Sequence, residues 1–129
     1  MITNRLSLVS EMTVLDSDTN SFSVFNILED VVTEGFPVFF PKIAFLTAWQ
    51  REDADPGVVE CIIIVRTHEG ELARQNVLMN FQDKNITRIN ARFQGIVIQS
   101  AGFLEFRLEG PGITATAVRV NLTRRAPAH

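Results

Sequence analysis

Apolar and polar residues alternate with a period of two through most of this chain. Residues 5–15, RLSLVSEMTVL, place Leu6, Leu8, Met12 and Val14 on one face, interrupted by Ser10. Arg5, Ser7, Glu11 and Thr13 fall on the other, with Val9 out of phase. That pattern predicts a strand with one wet side. DSDTN at 16–20 is a turn of residues that hydrogen-bond their own backbone, and FSVFNIL at 22–28 returns as the second strand of a hairpin.

LEDVVTEGFPVFFP at 28–41 does not alternate cleanly. It reads as a loop with at most one short helical turn near 28–34, stopped by Gly35 and Pro37. A clean strand follows Pro41. Ile43, Phe45, Thr47 and Trp49 share one face, and Ala44, Leu46 and Ala48 on the other are small or apolar, which predicts a central position.

REDADPG at 51–57 is a polar loop. VVECIIIVRTH at 58–68 is the most strongly strand-forming segment, being rich in β-branched residues. Glu69 and Gly70 reverse the chain, and ELARQNVLMNF pairs back with a slip of phase at Asn76 to Leu78, as a bulge would give. ITRINARFQGIVI at 86–98 carries Ile89, Ala91, Phe93 and Val97 in one phase.

The last two strands meet at Glu109-Gly110-Pro111-Gly112. Leu104, Phe106 and Leu108 precede this bend on an inward face, and Val118, Val120 and Leu122 continue an inward row after it. A phosphate cradle would need successive amides opening a helix, usually with a lysine nearby. Here a strand follows, Pro111 has no amide hydrogen, and the bend is a hairpin corner.

The fold class is therefore all-β: an antiparallel sandwich of about seven or eight strands. Residues 1–123 form one domain and 124–129 a flexible polar tail. The 129 residues suit a single domain. A single cysteine, Cys61, excludes an internal disulfide and reads as a buried thiol.

Twelve Lys plus Arg against fifteen Asp plus Glu give a net charge of -3, which attracts neither nucleic acid nor an anionic membrane. No run approaches the ~20 apolar residues of a membrane-spanning helix. A cytoplasmic location is expected.

The chain resembles a family of small bacterial proteins of unknown function with an immunoglobulin-like β-sandwich. The pieces that carry the resemblance are FSVFNILEDV at 22–31, Phe36-Pro37, Pro41, KIAFLTAW at 42–49, THEGELA at 67–73 and AGFLEFRLEG at 101–110. Asn26 stands where the family has glycine, and Phe103 where it has tyrosine. The resemblance implies a fold and no catalytic residues.

Candidate chemistry is sparse. Cys61, His68 and Glu60 are the only clustered zinc candidates, but Cys61 and His68, seven positions apart, point to opposite faces of a regular strand, and Glu52, Asp53, Asp55 and Glu60 lack the spacing of a helix-flanked calcium loop. No serine lies in a glycine-flanked elbow. No catalytic residue, metal or cofactor is assigned.

Two function classes follow. The first is a non-enzymatic interaction or structural module. It would meet a protein partner or a second copy through the proline-bracketed loop, with Phe36, Pro37, Phe39 and Phe40 either meeting the partner or capping the core. The alternative is a small-molecule or carbohydrate-binding domain, with Trp49, Asn90 and Gln94 as pocket residues; a hydrolytic enzyme stands behind both.

Overall fold

The computed structural model describes residues 1–126. These form nine strands: β1 (Thr3–Asp16), β2 (Ser21–Ile27), β3 (Asp30–Thr33), β4 (Val38–Gln50), β5 (Val58–Thr67), β6 (Gly70–Asn80), β7 (Ile86–Ile98), β8 (Gly102–Glu109) and β9 (Thr116–Arg124). One sheet has the order β2-β1-β4-β7 and the other β3-β9-β8-β5-β6. Side chains from both sheets enter one core, with Phe45, Trp49 and Ile89 from the first and Ile63, Leu104 and Phe106 from the second. The Phe45 and Phe106 rings meet across it at 5.6 Å.

The expected helical turn near 28–34 is instead β3. Val31, Val32 and Thr33 are β-branched and favour the pleated backbone. Their polar backbone groups are met by β9, which runs parallel to β3. Flanking bonds run from Asn121 N to Glu29 O at 2.8 Å and from Arg125 N to Thr33 O at 2.7 Å. This ninth strand also makes the architecture less than wholly antiparallel. β9 extends through Arg124, one residue past the expected domain end. Residues 127–129 of the expected tail lie outside the described residues.

The hairpin β8-β9 and the hairpin β5-β6 form as the alternation predicts. The irregularity in β5-β6 lies between Val65 and Arg66, however, and pairing is continuous through Asn76 to Leu78. The apparent slip at Asn76 arises because Leu78 is an outward apolar residue, not a displaced inward one.

In β1 the wet side is the reverse of the expected one. Val9 pairs with Phe45 and is fully buried, so as far as Ser10 the odd positions face the core. Leu6, Met12 and Val14 are exposed on the opposite side. β1 stays beside β4 only as far as Ser10, and from there its partner is β2. The rest of this hairpin folds across the outer face of β4 and β7. Asn90 Nδ2 donates to Thr13 Oγ1 at 2.8 Å, and Arg88 Nη2 donates to Asn20 O at 2.7 Å. The Arg88 guanidinium also stands 4.5 Å from the Phe22 ring centre. This cover explains why Ala44 and Leu46 are buried although they point away from the shared core.

A second reversal occurs near the start of β4. Pro41 and Gly95 sit between the pairs Phe40–Ile96 and Lys42–Gln94. Pro41 offers no N–H, and Gly95 takes φ +68°, a conformation open to glycine. Before Pro41 the inward residues are Val38 and Phe40; after it they are Ile43 and Phe45. Val97 accordingly faces solvent, against expectation, while Ile96 and Ile98 turn inward.

Candidate functional site

That reversal divides the four proline-bracketed candidates. Phe40 is 7% exposed and Phe36 packs against the core from a half-buried position. Pro37 is exposed. Phe39 is 61% exposed and pairs across the strands with exposed Val97. Capping and display are therefore both present, on alternate residues of one strand.

Phe39 does not stand alone. A shallow hollow of about 410 Å³ joins it to Met12 and Pro41. Met12 is 50% exposed and pairs with Phe25, at 46%, on the outward side of the covering hairpin. Val14 and Ile27 are exposed on the same hairpin. Asn26 lies between Phe25 and Ile27 with φ +55°, and its Nδ2 donates to Glu11 Oε2 at 3.0 Å. Left-handed backbone is what glycine accepts most readily and asparagine next, so this position accommodates either residue. The displayed apolar face is thus shared by the hairpin and the first residues of β4.

The three pocket candidates do not converge. Trp49 is fully buried on the core side of β4, and its Nε1 donates to Thr47 Oγ1 at 2.8 Å. Asn90 and Gln94 lie on the opposite side of that sheet. Gln94 pairs with Lys42, and Asn90 sits opposite Leu46 under the hairpin. Asn90 Oδ1 is buried without a hydrogen-bond partner.

Two polar clusters escape a reading of the sequence because their members come from separate strands or turns. Glu105 accepts from Arg66 Nε and Arg119 Nε at 2.7 Å each, on the outer face of the second sheet. The Arg66 hydrogen bond, and then that of Arg119, hold the Glu105 carboxyl below the usual glutamate range against the opposing effect of burial. Arg119 also lies over the Phe103 ring at 4.1 Å. Register explains the set, since Arg66, Glu105 and Arg119 are direct cross-strand neighbours.

The second cluster is His68, Glu69 and Ser100. The His68 Nε2 and Ser100 Oγ atoms are 3.1 Å apart, and Ser100 Oγ donates to Glu69 Oε1 at 2.8 Å. In a nucleophilic triad the acid orients the far ring nitrogen of the histidine. Here the acid takes the serine hydroxyl instead, and the Nδ1 side of the ring lies against Gly102.

Cys61 is buried, and burial pushes its thiol pKa up, away from the reactive thiolate. Among the described residues, no group of three or more His, Cys, Asp or Glu side chains is placed to hold a metal ion, and no helix is long and apolar enough to cross a membrane.

No protein-family model matches this chain, and no curated protein matches it.

Proposed function

We propose that this chain is a non-enzymatic, immunoglobulin-like β-sandwich module that binds another protein, a second copy of itself included. The carrying observation is the displayed apolar face of Phe39, Val97, Met12 and Phe25. Large apolar side chains gathered on one face mark interaction sites far more often than the same residues scattered singly. Aromatic residues and methionine are also the types enriched where proteins meet.

Strand order supports the immunoglobulin-like part of this reading. β4 and β7 pair in one sheet, β5, β8 and β9 in the other, as strands B, E and C, F, G do in that fold. The Phe45–Phe106 contact spans the two strands that carry the inter-sheet disulfide of antibody domains. The buried free thiol suits a reducing compartment, in keeping with a cytoplasmic placement.

Solution mass across a concentration series tests the homotypic form. Wild type is expected to associate and Phe39→Ser to remain monomeric with an unchanged fold. If wild type stays monomeric, hydrogen exchange with cell extract added reads the heterotypic form. Protection confined to the Phe39 and Met12–Phe25 segments supports it. Monomeric behaviour with no protection there rejects the proposal.

A further inference from the structure

The geometry points to a second, independent site: a cleft between the covering hairpin and the outer face of β4-β7 that takes a small oxyanion. The cleft has a volume of about 200 Å³ and is lined by Thr13, Lys42, Arg92 and Gln94 among others. That is too small for a drug-sized ligand but sufficient for one carboxylate or phosphate with a few carbons.

Charge decides the sign of the ligand. Lys42 pairs with Gln94, and Arg92 pairs with Ala44, the next outward position along β4. The two cations therefore stand on adjacent outward rungs. Among the described residues neither makes an ion pair. Arg88, on the same outer face, is taken up by Asn20 O and the Phe22 ring, and Arg66, Arg74, Arg107 and Arg119 each have a glutamate. Glu11 also lines the cleft, and its one negative charge against Lys42 and Arg92 leaves a net positive charge there. A guanidinium with an ammonium beside it suits an oxyanion, since the first offers a planar fork and the second a point charge.

Nitrogen-15 NMR titration at fixed ionic strength tests the site, with sodium chloride as the control and inorganic phosphate, glycerol 3-phosphate and lactate as probes. Saturable shifts are expected at the Arg92 Nε–H, the Gln94 side-chain amide and the Thr13 amide. Tighter binding of glycerol 3-phosphate than of lactate assigns a phosphate, and the reverse a carboxylate. The double variant Lys42→Met, Arg92→Met should weaken binding at least tenfold, its backbone spectrum elsewhere reporting an intact fold. Absence of saturable shifts with all three probes, or shifts that survive in the double variant, would overturn the site.

Discussion

Gly110 rests so close to Cys61 that a methyl group added to its α-carbon would stand 2.9 Å from the sulfur and 3.2 Å from the Glu60 carbonyl oxygen. The glycine is needed for space, since its backbone is not left-handed. Gly112, two residues on, has φ +72° and open space around it, so its requirement is conformational. Gly110→Ala should cost about 1–3 kcal/mol through overpacking. Gly112→Ala should cost about 1 kcal/mol through the left-handed backbone. Urea unfolding of a double-mutant cycle separates the two causes. Cys61→Ala should couple to Gly110→Ala and not to Gly112→Ala. Additive behaviour at both glycines would refute the steric account of the bend.

The Glu105 carboxylate, with its side chain only 4% exposed, makes stability depend on pH. Its folded-state pKa lies below the ordinary 4.5 because Arg66 and Arg119 donate to it. The folded state therefore binds this proton less readily than the unfolded chain. The contribution is fully present above pH 4.5 and is lost as pH falls through the lower folded value. Glu105→Gln should reduce stability near neutrality by about 2 kcal/mol, the scale of hydrogen bonds to a charged group. Against wild type, the deficit should shrink steadily below pH 4.5. Measuring both proteins in 0.5 M salt suppresses exposed pairs such as Arg74–Glu71. A deficit that stays constant down to pH 2.5 would remove the carboxylate from the explanation.

Phe39 and Phe40 are neighbours in sequence and opposites in role. Phe40→Ala empties a core site and should cost about 3–5 kcal/mol. Phe39→Ala removes a displayed ring and should change stability by less than about 0.5 kcal/mol. Thermal and urea unfolding of the two variants give the comparison directly. A large loss at Phe39 would mean that it caps the core after all.

The period-two pattern made the strands from Val58 to Thr67 and from Gly102 to Leu122 legible, because each carries an inward apolar row. The pattern misled where the chain changes sides. Leu6, Met12 and Val14 look like an inward row, yet Val9 is the residue that meets Phe45. Side-chain period alone carries no sign, and burial of Ala44 and Leu46 beneath a folded-over hairpin depends on contacts distant in sequence. Val97 was misread for a related reason, since the reversal at Pro41 and Gly95 moves every later residue of β7 to the other face. β3 was missed because four residues hold too little period to read, and its partner lies some ninety residues on. Of the site candidates, Phe36, Phe39 and Phe40 could be chosen by composition. Their division could not, and neither could Lys42 and Arg92, whose proximity is a matter of strand register.

The hairpin that covers Ala44 and Leu46 should open independently of the rest of the fold. Its outer end is held by side chains: Arg88 to Asn20 and Phe22, and Asn90 to Thr13. Beyond Ser10 its backbone bonds run only within the hairpin itself. A unit tied down in this way opens at lower free energy than strands paired on both sides. Arg88→Ala removes two of these ties at once. Native-state hydrogen exchange should then show faster exchange at residues 11–16 and 21–26, with amides of β5 and β8 unchanged. Adding Thr13→Val should accelerate the hairpin further and still leave β5 and β8 alone. Exchange that rises equally in β5 and β8 would mean that the hairpin unfolds only with the whole domain, and that Arg88 stabilises the sandwich rather than its cover.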